Sequence, residues 1–227
     1  MTEQIELVVL DMAGTTVADD GVVVESFIAA IGSAGVAPDD PRFPGMLDHV
    51  NQTMGQSKIT VFRHLVDNDE NLAQQANQAF EQSYAKLVHS GRCAPVDGAA
   101  ETIGRLRADG LKVALTTGFA PPTRDAILAA LGWQDLADLA LSPADAGRGR
   151  PFPDLVLAAV LRLGVTDVRR VAVAGDTPSD MLTGLRAGAS VVAGVLTGAG
   201  TRETLESAGA THLLDSVVEL PELLKVA

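Results

Sequence analysis

The residues best suited to chemistry are Asp11 and the loop after it, Met12-Ala13-Gly14-Thr15-Thr16. Asp11 ends the largely apolar run 5–10, which predicts a buried strand, and a carboxylate there can attack phosphorus as a nucleophile. The backbone N–H groups of the loop around Ala13 and Gly14 can hold an anionic group. Ala13 carries no acidic proton, so an oxygen leaving group would receive no proton from that position.

Two further motifs predict phosphoryl-binding residues at strand ends. Thr117 and Gly118 follow a second apolar run, and their hydroxyl and N–H groups can donate hydrogen bonds to a phosphoryl oxygen. Arg150, within Gly149-Arg150-Pro151, can pair with a phosphoryl oxygen and with the attacking carboxylate. Taken singly, Thr117 is equally well a helix N-cap, and Arg150 a surface residue beside a proline turn.

A pair of aspartates predicts a metal site. Asp176 and Asp180 lie four residues apart where another apolar run gives way to a predicted helix. Together with Asp11 they would form a cluster of hard oxygen ligands that suits Mg²⁺. Alone, Asp176 is equally well a helix cap, and Asp180 is more readily an exposed residue of the first helical turn. All these motifs fall in order at strand ends, which favours the functional interpretation.

Lysine is scarce, and one lysine stands apart from the rest. The chain has four lysines: Lys58, Lys86, Lys112 and Lys225. The last three are predicted at the surface, whereas Lys58 follows Met54-Gly55-Gln56-Ser57 at the start of an amphipathic stretch. A lysine at a helix start is usually exposed, so Lys58 alone would not indicate catalysis.

The elements that must position these residues alternate between strand and helix. Predicted strands cover 7–10, 113–116, 139–141, 171–174, 191–193 and 212–214. Predicted helices cover 99–108, 121–131, 153–163, 178–187 and 201–208, each closed by a glycine. This alternation predicts an α/β fold with a doubly wound, Rossmann-like parallel sheet.

One long segment interrupts the alternation. Residues 19–95 contain no good strand pattern and predict helices over 24–34, 39–53, 57–66 and 71–90. We therefore predict a core of residues 1–18 and 96–227 with an inserted helical cap, 19–95. The insert directly follows the first strand's loop, so it should lie over the carboxyl edge of the sheet, where doubly wound folds bind ligands.

The amino-acid composition limits which binding partners and which cellular compartment we expect for the protein. The formal net charge of −12 disfavours nucleic acid and anionic membranes, so local cations must bind any small anionic substrate. A single cysteine, Cys93, excludes an intramolecular disulfide and favours a reducing cytoplasm. We expect no signal peptide and no membrane span, because the N-terminal apolar run is short and no other run is long enough.

The ordered motifs resemble a known group of enzymes. Asp11, Thr117, Arg150 and the Asp176/Asp180 pair are similar in order and spacing to the motifs of the haloacid dehalogenase superfamily, whose members are Mg²⁺-dependent phosphotransferases with an aspartate nucleophile. The resemblance covers nearly the whole chain. It implies a Rossmann-like core with the helical cap inserted after the first strand.

Two departures from the usual phosphatase pattern, together with one segment of the insert, resemble one branch, the phosphonatases. Ala13 replaces the usual second aspartate, and Arg150 replaces the usual lysine. The spacing of Met54, Gly55 and Lys58 is similar to the phosphonatase segment that carries a Schiff-base lysine. A C–P bond cannot be broken by protonating an oxygen, so a lysine imine that accepts the carbanion's electrons would explain Ala13 and Lys58 together.

The resemblance implies a role for each candidate residue. Lys58 would form an imine with the substrate carbonyl, and Asp11 would take up the phosphoryl group. Mg²⁺ would be held by Asp11, the Ala13 carbonyl and Asp176, with Asp180 bound directly or through water. Candidate substrate-binding residues are Ala13, Gly14, Met54, Gly55, Thr117, Gly118 and Arg150. The resemblance also implies a homodimer formed through the cap, for which 22–24 and Phe27 could supply the patch or could equally be cap core.

Other positions depart from the phosphonatase pattern itself. Val61 stands where phosphonatases carry a histidine, Phe119 where they carry an aromatic hydroxyl, and 22–24 where they carry a thiol. Proton-handling groups are thus missing near the carbonyl end of the substrate. The resemblance implies phosphonoacetaldehyde or a related 2-oxoalkylphosphonate as substrate, and these departures favour a 2-oxoalkylphosphonate other than phosphonoacetaldehyde. His64 shares the predicted helix of Lys58 but faces elsewhere by helical spacing.

Two alternatives remain open from the sequence. The first is a phosphomonoester phosphatase of the phosphoglycolate type, which would use Asp11 and Mg²⁺ without Lys58. The second is a catalytically silent domain that binds a phosphorylated metabolite or a protein partner. Retention of all the phosphoryl-handling residues argues against the second alternative.

Overall fold

The computed structural model describes residues 4–225 and has one parallel sheet of six strands at its centre. The strands are β1 (Leu7–Asp11), β2 (Lys112–Thr116), β3 (Leu139–Leu141), β4 (Val171–Gly175), β5 (Val191–Val195) and β6 (His212–Leu214). Their order, β3-β2-β1-β4-β5-β6, is that of a doubly wound Rossmann-like sheet, so the predicted α/β fold class is confirmed. All six predicted strands are present.

Eleven α-helices among the described residues connect or cover the strands. They are α1 (Val22–Ser33), α2 (Phe43–Gln52), α3 (Lys58–Leu65), α4 (Glu70–His89), α5 (Ala99–Ala108), α6 (Pro121–Leu131), α7 (Pro143–Ala146), α8 (Asp154–Leu163), α9 (Pro178–Ala187), α10 (Arg202–Ser207) and α11 (Leu220–Lys225). Helices α5, α6 and α11 cover one face of the sheet, and α8, α9 and α10 cover the other. None of these helices is long and apolar enough to cross a membrane.

Alternation along β1 shows how both faces become buried. Leu7 and Val9 pack into the cluster that contains Leu155 of α8, whereas Val8 and Leu10 join the cluster that contains Ile103 of α5. Successive side chains of a strand point to opposite faces, so an unbroken apolar run is what a doubly covered strand requires. Helices therefore cover β1 on both faces, and Asp11 lies at its carboxyl end.

The helical insert, α1–α4, lies between β1 and β2 in the chain. Its centre is a cluster of aromatic rings, with Phe27 of α1 4.8 Å from Phe80 of α4 and 5.1 Å from Phe62 of α3, between ring centroids. The predicted helix over 39–53 was wrong at its start, because α2 begins at Phe43. Pro41 disfavours helical geometry at Asp40, whose carboxylate accepts a hydrogen bond from the Arg42 N–H.

The burial of residues in α1 bears on the two roles, dimer patch or cap core, that the sequence left open for 22–24 and Phe27. Val22, Val23 and Phe27 are each only 2% exposed, because they pack inside the chain's own core. For these three residues the alternative that they form cap core is confirmed, whereas Val24 is half-buried, and the homodimer stays a prediction. The division into domains at residues 19 and 95 stays a prediction.

Candidate active site

The predicted site residues converge at the carboxyl ends of three neighbouring strands. Asp11 is the last residue of β1 and lies opposite Thr116, the last residue of β2, while Asp176 directly follows β4. The chain order reverses between β1 and β4, and doubly wound folds bind ligands at such a switch point. A parallel sheet thus gathers residues that are more than a hundred positions apart in sequence.

A buried ion pair joins the candidate nucleophile to Arg150. The Arg150 Nη2 atom lies 2.5 Å from Asp11 Oδ1, and its Nε atom lies 3.0 Å from Asp180 Oδ1. Arg150 Nη2 also donates a hydrogen bond to Thr116 Oγ1, at 3.0 Å. Burial raises the pKa of Asp11 and the Asp180 charge adds to that effect, whereas Arg150 opposes it by favouring the carboxylate.

Three buried carboxylates form a cluster that could hold a divalent cation. One oxygen atom from each of Asp11, Asp176 and Asp180 lies within 4.8 Å of the others. Burial and the two neighbouring carboxylates raise the pKa of Asp176 well above its usual range. A single guanidinium does not balance three carboxylates, and an all-oxygen donor set suits Mg²⁺. The residues present therefore fit the predicted ion.

Asp176 is held by groups that the sequence analysis missed. Thr15 Oγ1 donates to Asp176 Oδ1 at 3.1 Å, and the Ala199 N–H donates to Oδ2 at 2.8 Å. A Cβ at Gly14 or at Gly198 would lie 2.4 or 2.0 Å from Asp176 Oδ2, so a larger residue at either position would displace the Asp176 carboxylate. The glycines after β5, in Thr197-Gly198-Ala199-Gly200, were the available signal of this close approach.

Asp180 has a different environment from the one predicted for an exposed helical turn. It is 2% exposed, and its Oδ2 atom accepts hydrogen bonds from the Thr177 N–H at 3.1 Å and Thr177 Oγ1 at 2.5 Å. Thr177 and Asp180 thus form the capping box of α9. Since its other oxygen contacts Arg150, Asp180 both begins the helix and orients the guanidinium.

The loop before α3 lies directly against the core loops. The Lys58 N–H approaches the Gly118 carbonyl at 3.4 Å, and Arg150 Nη1 donates to the Gly55 carbonyl at 3.2 Å. Gly55 has a φ of +81°, and a Cβ there would lie 2.5 Å from Thr177 Oγ1. Residues 54–58, hereafter the lysine segment, therefore lie against Arg150 and against the loops that follow β2 and β4.

Lys58 is buried rather than exposed, so the interpretation as a surface lysine is wrong. The residue is 5% exposed, and its Nζ atom lies 5.0, 5.6 and 5.9 Å from the ring centroids of Phe119, Phe27 and Phe80. Burial lowers the pKa of Lys58 from 10.5 to about 8, and Arg150 adds to that shift. An amine in this state is far closer to the nucleophilic neutral form than an exposed lysine is.

Lys58 and Asp11 line one small cavity between the lysine segment and the sheet edge. It is lined by Asp11, Ala13, Asp19, Val23, Met54, Gly55, Lys58, Thr117, Gly118, Phe119, Arg150, Asp176, Thr177 and Ala199. Its volume is about 20 Å³, which is room for one or two water molecules.

The comparison with known sequences gives the family. A sequence profile of haloacid dehalogenase-like hydrolases matches residues 5–188. The chain belongs to the haloacid dehalogenase-like hydrolase family. It is 32% identical over 236 residues to the phosphonoacetaldehyde hydrolase of Bacillus cereus strain AH187, a match that covers 98% of this chain and 86% of that protein. The predicted resemblance to the phosphonatase branch is therefore confirmed.

Solved structures share the fold of this haloacid dehalogenase-like hydrolase. A phosphonoacetaldehyde hydrolase-like protein from Oleispira antarctica matches with a TM-score of 0.84 at 24% identity, over 99% of this chain and 93% of that one. A predicted phosphoglycolate phosphatase from Haemophilus somnus matches with a TM-score of 0.80 at 17% identity, over 98% and 99%. Identities this low establish the common fold alone.

Close contact between Gly118 and the lysine segment of this hydrolase leads to a testable expectation. A Cβ at Gly118 would lie 2.4 Å from the Gln56 carbonyl oxygen, so Gly118→Ala must displace the segment and misplace Lys58. We expect hydrolysis to fall by about a hundredfold, the typical cost of a misplacement near 1 Å. The fall in turnover would be measured as phosphate release by Gly118→Ala and by the parent under substrate saturation.

Gly104→Ala is the matched control for Gly118→Ala. Gly104 is an exposed interior residue of α5, and nothing lies within 4 Å of a Cβ built there. We expect unchanged turnover and a free energy of unfolding higher by about 0.5–1 kcal/mol, because alanine favours the helix. Parental turnover in Gly118→Ala would show that the lysine segment tolerates displacement.

Proposed function

We propose that this hydrolase is a Mg²⁺-dependent phosphonatase that cleaves the C–P bond of phosphonoacetaldehyde or a related 2-oxoalkylphosphonate. The observation that carries the proposal is that the Lys58 side chain and Asp11 line one cavity together with Ala13. One residue can activate a carbonyl, one can accept a phosphoryl group, and the third cannot act as an acid. That combination suits a carbon leaving group and has no use for protonation of an oxygen.

Lys58 begins the proposed reaction by condensing with the substrate carbonyl. Its amine forms a C–N bond, water leaves, and a protonated imine results. Surrounding phenylalanine rings keep the amine out of bulk water, which favours its neutral form. The protonated imine then serves as the acceptor for the electron pair of the C–P bond.

Asp11 attacks phosphorus in line with the C–P bond. The new O–P bond gives an aspartyl phosphate, and the C–P electrons pass to carbon, which leaves a Lys58 enamine. Arg150 and the groups of Thr117 and Gly118 are suited to hold the phosphoryl oxygens during this transfer. Water hydrolyses the aspartyl phosphate, and the proton released there balances protonation of the enamine carbon. Hydrolysis of the imine then returns Lys58.

We assign the metal site to the carboxylate cluster. Asp11, the Ala13 carbonyl and Asp176 would hold Mg²⁺, with Asp180 acting through water because Thr177 and Arg150 already engage its oxygens. When bound, the ion would neutralise phosphoryl charge and polarise the P–O bonds. Thr15 and the Ala199 N–H would orient Asp176 as an outer shell around the ligands.

The lowered pKa of Lys58 gives a direct expectation. In protein labelled with ¹³C-lysine, the Cε signal of Lys58 should titrate with a midpoint near 8, because burial penalises the ammonium form. The sequence contains four lysines, so Lys58→Arg would assign the signal by removing it. Since the neutral amine is the form present above the midpoint, condensation is favoured as pH rises through about 8. A midpoint at the ordinary value of 10.5 would contradict the proposed activation.

A substrate panel tests the function itself. Phosphate release with Mg²⁺ should be measured for phosphonoacetaldehyde, for 2-oxopropylphosphonate and for phosphoglycolate. We expect turnover of one or both oxoalkylphosphonates and far slower turnover of the ester, because Ala13 cannot protonate an ester oxygen. Turnover of phosphoglycolate alone would favour the phosphatase alternative, which the Asp11 site would support without Lys58. No turnover of any compound would favour a silent binding domain.

The proposed function also includes a cytoplasmic location and a homodimeric assembly. The one cysteine of the chain suits a reducing cytoplasm. A homodimer would have to use a surface other than Val22, Val23 and Phe27, which are buried within the chain. Light scattering of the purified protein would determine the assembly.

A further inference from the structure

A carboxyl group outside the phosphoryl site lines the cavity beside Lys58. Asp19 lies in the loop between β1 and α1, and it is half-buried. Its Oδ1 atom accepts a hydrogen bond from the Val23 N–H at 3.1 Å, in the first turn of α1. Asp19 and Lys58 also interact electrostatically, each shifting the titration of the other. The loop therefore presents an acid next to the amine.

The other cavity residues leave the proton transfers at Lys58 unassigned. Val23, Met54 and Phe119 carry no transferable proton, and neither does Val61 on the same helix as Lys58. Asp11 and Asp176 belong to the carboxylate cluster, where Arg150, Thr15 and the Ala199 N–H engage them. Glu81 of α4 also interacts with Lys58 and lines a second cavity with it, but its oxygens accept hydrogen bonds from Thr123 Oγ1 and the Ala120 N–H. Of the carboxylates that line the cavity shared with Asp11 in residues 4–225, Asp19 is the one that the phosphoryl chemistry does not use.

We propose that Asp19 is the catalytic acid and base of the imine steps at Lys58, an assignment that rests on the proposed function. When Lys58 has added to the carbonyl, protonated Asp19 gives its proton to the carbinolamine hydroxyl, which leaves as water while the nitrogen lone pair forms the C=N bond. After C–P cleavage, water adds to the product iminium and returns one proton to the Asp19 carboxylate. Asp19 thus begins and ends each cycle protonated.

The groups around Asp19 favour its protonated, neutral carboxyl form. Burial raises the pKa of Asp19 and the neighbouring Asp20 carboxylate adds to the shift, while Lys58 and the α1 backbone oppose it. Tyr84 of α4 stays neutral, because burial and nearby acids raise the pKa of its phenol. A carboxyl group with a raised pKa keeps more of its proton near neutral pH, as a general acid requires.

The test isolates imine formation from C–P cleavage. Acetaldehyde condenses with an amine but has no phosphoryl group, and borohydride reduces the imine to a stable secondary amine that mass spectrometry locates at Lys58. We expect Asp19→Asn to slow this trapping by about a hundredfold, the usual contribution of a general acid. Asparagine can still accept the hydrogen bond from Val23, so α1 should keep its start. Asp39→Asn, on an exposed turn, is the matched control.

The pH profile separates a catalytic role from a structural one. The parent trapping rate should pass through a maximum, because Lys58 must be neutral while Asp19 is protonated, whereas the rate in Asp19→Asn should rise to a plateau. Equal trapping rates in the parent and in Asp19→Asn would overturn the assignment and leave the phosphonatase proposal intact. Failure of the parent itself to trap acetaldehyde would instead count against the Lys58 imine.

Discussion

Lys58→Arg should abolish phosphate release from an oxoalkylphosphonate. Arginine keeps the positive charge and stacks on aromatic rings, but its guanidinium stays protonated and forms no imine with a carbonyl. Without an acceptor for the C–P electron pair, we expect turnover to fall by about 10⁴-fold or more, as when an essential nucleophile is removed. Continuous phosphate detection with saturating Mg²⁺ would measure this loss.

Lys86→Arg is the matched control for that change. Lys86 is an exposed residue of α4, so its replacement makes the same chemical change away from the cavity, and we expect parental turnover. Thermal unfolding of both variants would show whether the larger side chain disturbs the aromatic cluster. If Lys58→Arg kept parental turnover of the oxoalkylphosphonate, cleavage would not proceed through an imine, and the phosphatase alternative would gain support.

Most of the fold could be predicted from the sequence because the core obeys local rules. The strands that pair around β1 are unbroken apolar runs, and glycines with positive φ follow α5, α6, α8 and α9. The start of α2 was missed because Pro41 and Asp40 form a turn where helical periodicity alone suggests a longer helix. Short elements such as α7 and α11 offer too few residues for a periodic signal.

The residues of the candidate site could be predicted only where a strand end marks them. Asp11, Thr117 and Asp176 follow apolar runs, so the parallel sheet brings them to one edge. Thr15, Asp19 and the Ala199 N–H carry no such mark, since their roles depend on which loops meet in space. The burial of Lys58 was equally hidden, because Phe27, Phe80 and Phe119 come from three distant segments.

The surroundings of Lys58 connect this chain's departures from the phosphonatase pattern with its chemistry. Val61 and Phe119 stand where a histidine and an aromatic hydroxyl were expected, and both are buried beside the lysine segment. Apolar side chains desolvate the amine and so favour its neutral form, but they supply no proton. In the proposed imine steps the proton would come from elsewhere in the cavity, and this is the role that we propose for the carboxyl of Asp19.

Asp11→Asn should separate the two halves of the proposed reaction. Asparagine has the same shape but cannot form an aspartyl phosphate, so we expect phosphate release to fall by about 10⁴-fold or more for phosphonate and ester alike. Imine trapping by acetaldehyde and borohydride should continue, because Lys58 does not need Asp11 for condensation. The Asp11 charge raises the pKa of Lys58, so its removal should move the NMR midpoint of Lys58 below about 8.

Phosphate release and imine trapping, measured together in Asp11→Asn, distinguish the two steps, which loss of phosphate release alone does not. Asp39→Asn, on an exposed turn, makes the same chemical change outside the site and should leave phosphate release, trapping and the Lys58 midpoint unchanged. Loss of trapping in Asp11→Asn would mean that the two residues do not act independently, and it would contradict the proposed sequence of steps. If Asp11→Asn retains imine trapping but loses phosphate release, carbonyl activation would be assigned to the helical insert and phosphoryl transfer to the sheet edge. The cavity between them would then be the place where Lys58 and Asp11 act on one substrate.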